Sequence, residues 1–424
     1  MPPVDDRRVL VVGTTPDYIE WIRRACPGRS VFITEEKLRR AASEPVPGPE
    51  EEIRCDLTDL DRLRQALAGH MRRWHLTING VACFDCESLA PAAHLARELG
   101  LAFPAPAAIA NCRDKLLSKI LWRKTGLSAP RVAPVSRVEE VLSFFQNSAG
   151  GCVLKPVSGS GSELVFCCRT EAECRRSFAL LREGLQQRTE NRLYQDKAVA
   201  SGPMIVEEYI DATEFSCDFL LENGRAAVIR LAGKIRAPKA MAFGTTMGYV
   251  LLAELPGIDL STLAQTLAKA AMALGLVRAV CMADFMIRQG EIVFLEITPR
   301  PGGDCLPALI RQALGLDTIL LTLDLAQGRS WSLESLPPPR PMVGLRLHAR
   351  QEGRLKKINW AAVEKDPRVK EICRLRRPGE TIRLPPADYT SFLLGNIIFT
   401  PDRPETVMDE CLQMIDRLTV EMDA

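Results

Sequence analysis

The feature that most constrains this chain is an apolar stretch from Met282 to Gly303 that is interrupted by a short polar turn. Its flanks are rich in Phe, Ile and Val, so the pattern predicts two β-strands joined at the turn residues Arg288 to Glu291. If the hairpin folds symmetrically about Gly290, Asp284 lies opposite Glu296, with their Cβ atoms roughly 5 Å apart. The fold must therefore accommodate two carboxylates at close range.

Two carboxylates at this distance repel each other unless a cation lies between them or one of them keeps its proton. Carboxylate oxygens suit Mg²⁺, which binds proteins through one or two carboxylates together with substrate phosphates. Alternation along the strand also places Thr298 and Arg300 on the same face as Glu296. The alternative is that both acids lie on the surface and are flanked by apolar residues by chance.

Length and composition indicate a multidomain globular protein. The chain has 424 residues, more than one ordinary hydrophobic core holds, which predicts about two to four domains. Hydrophobic residues make up 46% and charged residues 25%, and the net charge of +2 includes no basic tract. No apolar run approaches the length of a membrane helix, and the charged start lacks the apolar core of a signal peptide. We therefore expect a cytoplasmic protein without a nucleic-acid or membrane partner.

Fourteen cysteines are scattered mostly singly among apolar residues, which favours reduced thiols over a disulfide framework. Cys83 and Cys86 form one CxxC pair, but no second pair stands at the spacing of a zinc ribbon. Cys167 and Cys168 are adjacent in a predicted strand and point in opposite directions. For all of these, burial as small hydrophobic residues is a better interpretation than metal binding.

Strands and helices alternate through residues 7–110, which predicts a doubly wound parallel sheet. The predicted elements are strands at Val9–Gly13, Ser30–Ile33 and Leu76–Ala82 and helices at Tyr18–Cys26, Leu57–Arg73 and Leu89–Leu99. Gly13 to Pro16 does not match GxGxxG and gives no reason to expect a dinucleotide. Pro104 and Pro106 then mark a boundary.

The rest of the chain mixes strands and helices and is divided by a proline-rich linker at Leu336–Pro341. The predicted strands are Cys152–Pro156, Met204–Ile210, Glu214–Leu221 and Ala226–Leu231, and the predicted helices are Asn111–Thr125, Leu260–Leu274, Leu306–Leu314 and Glu405–Met422. Asn223-Gly224 is a strong hairpin signal between two of these strands.

A loop of small residues follows the strand that carries Lys155, and it comprises Ser158, Gly159, Ser160, Gly161 and Ser162. Small residues let backbone amides approach a phosphate without side-chain clash. This is not a Walker loop, because the lysine precedes the glycines. A flexible surface hairpin with a solvated lysine explains the segment about equally well.

Two further polar groups have ordinary explanations. Glu214, Ser216 and Asp218 share one face of a predicted strand, and a half-exposed strand with its polar residues outward is favoured for them. Asp114 before Lys115 fits a helix start stabilised by the helix dipole. None of the histidines has the spacing of a metal site or a catalytic triad, namely His70, His75, His94 and His348.

Lys234, Arg236 and Lys239 lie in a segment rich in Gly, Ala and Pro that runs to Gly248. Such a segment fits a mobile loop over a site, and it fits an exposed loop with solvated charges equally well.

In combination and in order, these motifs resemble the ATP-grasp superfamily, specifically its carboxylate–amine ligase branch. The motifs are Asp114-Lys115, Lys155 with Ser158 to Ser162, Glu207-Glu208-Tyr209-Ile210, Glu214, Asp284, and Glu296 to Gly303. The resemblance spans about residues 7–330, and the tail is similar to the C-terminal domain of L-amino-acid ligases and, more distantly, of biotin carboxylase. The sequence departs from the family pattern at Asp284, where Glu is usual, and at Thr298, where Asn is usual.

The resemblance implies that ATP binds between two lobes. Lys115 and Lys155 would contact its phosphates, and the loop from Ser158 to Ser162 would fold over them. The strand from Glu207 to Ile210 would read the adenine through its backbone, and Glu214 would hold the ribose hydroxyls.

The resemblance also implies a metal site for Mg²⁺, with Mn²⁺ as an alternative ion. Asp284, Glu296 and Thr298 would be its ligands, and Arg300 would stabilise charge on the reacting groups. The implied activity is an ATP-dependent ligase that joins a carboxylate to an amine through an acyl phosphate, with amino-acid substrates. The alternatives are a purine-biosynthesis or bicarbonate-using ligase on the same scaffold, or an ATP-binding module without catalysis.

The implied fold is a multidomain α/β and α+β protein with the ATP-grasp fold. We expect a Rossmann-like pre-ATP-grasp domain at residues 1–112, a small lobe at 113–205, a large lobe with the metal site at 206–335, and a small C-terminal α+β domain at 336–424. A homodimer is also expected, because related ligases are often dimers.

Overall fold

The N-terminal part of the chain forms a four-stranded parallel sheet. The computed structural model describes residues 7–194, 203–237, 241–331 and 338–423. The sheet has the order β3-β2-β1-β4, with strands β1 (Arg7–Val12), β2 (Ser30–Thr34), β3 (Glu52–Arg54) and β4 (Thr77–Ala82). Its helices are α1 (Pro16–Ala25), α2 (Glu36–Ala41), α3 (Leu60–Trp74) and α4 (Leu89–Leu99).

Both faces of this sheet are covered by helices. Successive β1 side chains point to opposite faces, so Leu10 packs in a cluster with Leu63 of α3, whereas Val11 packs with Ile19 of α1. The predicted doubly wound parallel sheet is therefore confirmed. Strand β3 was not predicted, because its three residues are too few to show an alternating pattern.

The next part forms an antiparallel sheet with helices against it, which we call the small lobe. Its helices are α5 (Pro106–Arg113), α6 (Lys115–Lys124), α7 (Val138–Gln146) and α8 (Glu171–Gln186). Its sheet has the order β5-β8-β6-β7, with strands β5 (Val132–Pro134), β6 (Cys152–Pro156), β7 (Phe166–Cys168) and β8 (Met204–Glu208). The predicted strands at Cys152–Pro156 and Met204–Ile210 are thus present.

The helix predicted to open at Asn111 instead begins at Lys115. Asn111 belongs to the preceding helix α5, and Asp114 lies between the two helices. The Asp114 carboxylate accepts hydrogen bonds from the amides of Leu116 and Leu117, each at 2.9 Å. This cap ends one helix and starts the next, and it fixes the position of Lys115 at the first turn of α6.

A long antiparallel sheet dominates the second half of the molecule, with the strand order β13-β12-β9-β10-β11-β14-β18-β16. Its first part, the large lobe, contains β9 (Thr213–Glu222), β10 (Arg225–Arg236), β11 (Thr246–Leu252), β12 (Ala279–Arg288) and β13 (Glu291–Thr298). Helices α9 (Leu260–Ala273), α10 (Leu306–Leu314) and α11 (Thr318–Ala326) complete the lobe. Asn223 and Gly224 both have positive φ between β9 and β10, as the hairpin signal predicts.

The C-terminal strands divide between two sheets. Strands β14 (Val343–His348), β16 (Val369–Arg374) and β18 (Leu393–Phe399) extend the long sheet, while β15 (Gly353–Asn359), β17 (Thr381–Ile382) and β19 (Thr419–Asp423) form a separate three-stranded sheet. Helices α12 (Ala361–Glu364) and α13 (Val407–Asp416) lie between these strands in sequence. The predicted linker Leu336–Pro341 lies partly outside the described residues.

The helix predicted at Glu405–Met422 is too long, because α13 ends at Asp416 and β19 follows. Val420 and Met422 alternate with polar residues and pack with Leu355 of β15 in one apolar cluster. Apolar residues at every second position are typical of a strand. When such a short alternation directly follows a helix, the sequence pattern alone does not show where the helix ends.

Among the described residues, no single helix has the length and apolar composition needed to cross a membrane. The helix pair α10 and α11 meets that test only when its members are taken together, and it is bent by 98° at the junction.

Candidate active site

The β12–β13 hairpin brings the two predicted acids face to face. Gln289 and Gly290 both have positive φ, which is the backbone of a two-residue hairpin turn, and the register pairs Asp284 directly with Glu296. A register irregularity follows Asp284, at Phe285. The predicted pairing is therefore confirmed.

A lysine from a neighbouring strand lies between two of the acids. Lys234 Nζ of β10 donates to Glu214 Oε1 at 2.6 Å and to Asp284 Oδ2 at 2.7 Å. Glu214 is on β9, which separates β10 from β12 in the sheet, so three adjacent strands contribute one charge each. The lysine is buried, with a side-chain exposure of 9%.

The two facing acids have pKa values that move in opposite directions. Burial raises the pKa of Asp284, with a further increase from nearby Glu214, although Lys234 opposes it. Burial also opposes ionisation of Glu296, but Lys115 and other nearby cations outweigh burial and lower the pKa of Glu296 to about 2. Lys115 Nζ lies 3.5 Å from Glu296 Oε2. Glu296 is thus held as a carboxylate by the small lobe.

A second charged cluster lies on the small-lobe side. Lys155 Nζ of β6 is 2.6 Å from Glu207 Oε2, and Lys119 Nζ of α6 is 3.1 Å from Glu207 Oε1. Lys119 is fully buried and also donates to the carbonyl of Leu295 at 2.8 Å. Burial lowers the pKa of Lys119 to about 8, although Glu207 opposes the shift.

Lys119 was not identified from the sequence. Its signal is its position four residues after Lys115 on the same helix, which puts the two amines on one face of α6. Glu207 was expected to bind adenine through its backbone, which stays a prediction. Its buried carboxylate forms ion pairs with both Lys119 and Lys155.

The loop of small residues packs directly against Lys115. Lys115 Nζ donates to the Gly159 carbonyl at 3.1 Å, and Ser158 Oγ donates to the Leu193 carbonyl at 3.0 Å. Gly161 and the non-glycine residue Ser162 both have positive φ. Lys115 therefore connects the loop that carries Ser158 to Ser162, including Ser160, with the acid at Glu296.

The remaining residues of the predicted adenine strand connect the small lobe to the hairpin. Glu208 is paired with Arg131 at 3.0 Å and with Arg288 of β12 at 2.8 Å. The Arg169 guanidinium lies 3.5 Å from the ring centre of Tyr209. Ile210 is buried in a small cluster with residues of the hairpin.

Arg300 lies at the junction with the N-terminal domain. Its Nε donates to Cys86 Sγ at 3.1 Å, and its Nη1 donates to the Pro301 carbonyl at 2.7 Å. Burial opposes its charge, but Cys86, Tyr18 and Glu296 together raise the pKa of the guanidinium. Thr298 Oγ1 is 3.2 Å from Glu296 Oε1, so the predicted third ligand is hydrogen-bonded to the second.

Ser216 and Asp218 are fully buried, so the interpretation of a half-exposed strand is wrong. Asp218 Oδ2 accepts from Arg230 Nε at 2.7 Å, and Asp218 Oδ1 accepts from the Gly302 amide at 2.8 Å. These polar side chains can be buried because a buried arginine and a backbone amide form hydrogen bonds with them. This network holds the loop that carries Arg300.

The segment from Lys234 to Gly248 is not one loop. Lys234 and Arg236 belong to β10 and Gly248 belongs to β11, while Lys239 lies outside the described residues. Gly244, between the strands, has positive φ, and a Cβ placed on it would lie 3.1 Å from Ser162 Cβ. The β10–β11 connection therefore contacts the small-residue loop across the cleft.

Comparison with known proteins finds a family that matches the middle of the chain. The ATP-grasp domain family matches residues 149–308, which include the small-residue loop and the hairpin. This segment of the chain is therefore similar to ATP-grasp domains. Its similarity extends to the ligases of that class, as the resemblance of the motifs implied.

The chain is 24% identical over 356 residues to carnosine synthase 1 of Mus musculus, covering 80% of this chain and 42% of that protein. It is 26% identical over 253 residues to the D-alanine–D-alanine ligase of Acidovorax ebreus (strain TPSY), covering 55% of this chain and 70% of that protein. The crystal structure of an L-amino acid ligase from Bacillus licheniformis superposes with a TM-score of 0.77 at 19% identity, covering 98% of this chain and 99% of that one. The chain thus has the ATP-grasp fold along its length, and it spans less than half of the carnosine synthase it matches.

Proposed function

We propose that this protein is an ATP-dependent carboxylate–amine ligase that forms an amide or peptide bond through an acyl phosphate, with amino-acid substrates. The observation that carries the proposal is the contact of the two lobes at the hairpin, where Lys115 lies 3.5 Å from Glu296 and Glu296 is paired with Asp284. Lys155 is also close enough to contribute to the lowered pKa of Glu296. Phosphoryl transfer requires positioning and neutralisation of charge more than a protein nucleophile. Similarity to a carnosine synthase, a D-alanine–D-alanine ligase and an L-amino acid ligase supports this chemistry here.

The residues at the hairpin fit Mg²⁺. Within the described residues, Asp284 Oδ1 is buried without a hydrogen-bond partner, which is an unused acceptor beside a second carboxylate. Asp284, Glu296 and the Thr298 hydroxyl form a donor set of hard oxygens, and such sets suit Mg²⁺ and Mn²⁺. When bound, the ion would neutralise phosphate charge during phosphoryl transfer. Lys234 would then share the Asp284 carboxylate with the metal.

The nucleotide site is proposed around the small lobe. Lys115 and Lys155 would hold the phosphates, and the amides of the loop from Ser158 to Ser162 would close over them. The backbone from Glu207 to Ile210 would bind the adenine, and Glu214 would bind the ribose hydroxyls. The Ser162–Gly244 contact supports closure of the cleft, which excludes water from an acyl phosphate that water would hydrolyse.

Arg300 is the proposed catalytic residue. Its guanidinium stays charged, and Arg300 follows the end of β13, the strand that carries Glu296 and Thr298. It would stabilise negative charge on the carboxylate during phosphorylation and on the oxyanion when the amine attacks the acyl carbon. The amine would displace phosphate, so the products are an amide, ADP and phosphate.

A cavity of about 530 Å³ that is lined in part by Tyr18 is proposed to admit an amino-acid substrate. It is lined by residues of α1, α10 and the long sheet, including Tyr18, Trp21, Asp304 and Asn396. A Cβ placed on Gly303 would lie 3.6 Å from Arg300 Nη1 and 3.8 Å from the Tyr18 hydroxyl. The cavity therefore adjoins the proposed catalytic arginine through Tyr18.

The test is a screen of amino-acid pairs for phosphate release that requires ATP and Mg²⁺. We expect release above the ATP-only background for at least one pair, together with a condensed product detected by mass spectrometry. Bicarbonate and purine precursors are included as separate arms. Release only in those arms would assign a different ligase reaction, and ATP binding without ADP release in every arm would indicate a binding module.

We also propose a cytoplasmic location and a homodimer. All fourteen cysteines are free thiols, which is the state expected in a reducing compartment. The dimer rests on similarity to ligases of this class.

A further inference from the structure

Three cysteines lie close together in the core of the small lobe. Cys152 of β6 is paired directly with Cys168 of β7, and Cys174 lies in the second turn of α8, which packs on this sheet. All three side chains are completely buried. Their three Sγ atoms lie within 4.8 Å of one another.

The spacing of these sulfur atoms suits a bound metal ion. Cys152 Sγ and Cys174 Sγ are 3.9 Å apart. With Zn–S bonds of about 2.3 Å, two thiolates on one zinc ion are separated by about 3.8 Å. The third sulfur needs a shift of less than about one ångström to reach the same separation, which a side-chain rotation supplies.

A fourth possible donor lies on the same helix. Ser177 is buried and follows Cys174 by three residues on the same face of α8. We propose that the three cysteines form a structural Zn²⁺ site with Ser177 as the fourth ligand. This site is independent of the proposed ligase activity.

Charge favours Zn²⁺ over a monovalent thiophilic ion. The thiols bind as thiolates and release three protons to solvent, so the site carries one net negative charge with Zn²⁺ and two with Cu⁺. Burying the smaller charge costs less.

The consequence would be a stiffer small lobe. Strand β6 continues from Cys152 to Lys155, and α8 covers the same sheet. A zinc ion would join β6, β7 and α8 by coordinate bonds and so hold the strand that positions Lys155.

The test measures zinc in the full-length protein, refolded under reducing conditions with Zn²⁺ and excess Mg²⁺ and then dialysed. We expect about one equivalent of zinc per chain by elemental analysis, and thiolate-to-metal charge transfer in the near ultraviolet after refolding with Co²⁺ instead. Cys168→Ala and Cys174→Ala should each lose both signals. Cys167→Ala, at the neighbouring half-buried position whose side chain points away, is the matched control and should keep them.

Zinc retained equally by Cys168→Ala and the wild-type protein would overturn the site, as would a wild-type protein without zinc. Binding of Cu⁺ with no binding of Zn²⁺ would overturn the choice of ion. A Cys174→Ser variant, which keeps a small polar side chain, covers the case in which an alanine variant fails to fold. None of these measurements uses ATP, so failure of the ligase proposal leaves them unaffected.

Discussion

At the scale of single residues, the two acids of the hairpin have different surroundings although they face each other. Glu296 is next to the lysines of the small lobe, and its pKa falls to about 2 despite burial. Asp284 shares Lys234 with Glu214, and burial raises its pKa. Glu296 is therefore the acid that stays ionised throughout the physiological range, and we expect its carboxylate to be indispensable for metal binding.

Glu296→Ala should abolish turnover while leaving the protein folded. Loss of a metal ligand removes charge stabilisation that is worth about a hundredfold or more in rate. The measurement is ADP release at saturating ATP, together with circular dichroism to confirm the fold. Glu291→Ala changes an exposed glutamate on the same strand and should leave the rate unchanged. Normal ADP release by Glu296→Ala would remove the basis for the metal assignment.

At the scale of elements, the loop after β13 is positioned by a buried network. The Gly302 amide donates to Asp218, which in turn pairs with Arg230, and both charged side chains are fully buried. A Cβ placed on Gly302 would lie 3.0 Å from Asp218 Oδ2 and 2.6 Å from Leu306 Cδ1. The close approach of this loop to β9 thus depends on glycine.

Gly302→Ala should displace the loop that carries Arg300 and lower kcat by about tenfold or more, because small misplacements of reacting groups are costly in rate. The measurement is steady-state kinetics with separate kcat and KM values. Gly69→Ala, in the open on α3, is the control and should leave kcat unchanged while raising the free energy of unfolding by about 0.5–1 kcal/mol. An unchanged kcat in Gly302→Ala would show that the network does not position Arg300.

The sequence predicted the structure correctly where neighbouring residues determine it, as in the hairpin turn. Gly290 defines a two-residue turn, and that turn fixes the register that brings Asp284 opposite Glu296. The roles of Lys234 and Lys119 were beyond reach, because each forms its ion pairs with residues on other elements. The assignments of individual residues to ATP and metal binding stay predictions.

At the scale of the whole molecule, one sheet joins the hairpin to the C-terminal strands. His348 lies on β14, within that sheet, and its ring stacks on Phe392 at 4.8 Å. Burial and nearby Arg346 lower the pKa of His348 to about 3. The folded protein therefore keeps this ring neutral at pH values at which the unfolded chain protonates it.

Stability should consequently depend on His348 in mild acid. Above about pH 6.5 the ring is neutral in both the folded and the unfolded chain, so the free energy of unfolding is at its full value. As the pH drops from 6.5 towards 3, only the unfolded chain binds a proton at this ring, and the free energy of unfolding falls by at most about 5 kcal/mol. His348→Gln should flatten this part of the curve in denaturant titrations at a series of pH values. His75→Asn, at an exposed position, should follow the wild-type curve. Parallel curves for His348→Gln and the wild-type protein would contradict the prediction.

The continuous sheet from β13 to β16 also limits how the molecule can move. Backbone hydrogen bonds connect the hairpin that carries the two acids with the C-terminal strands, so we expect them to move together as one rigid unit. The small lobe has a separate sheet. We therefore expect the proposed nucleotide cleft to open by rotation of the small lobe against this unit. The ion pairs of Lys115 with Glu296 and of Arg288 with Glu208 cross that boundary, so this motion would break both of them.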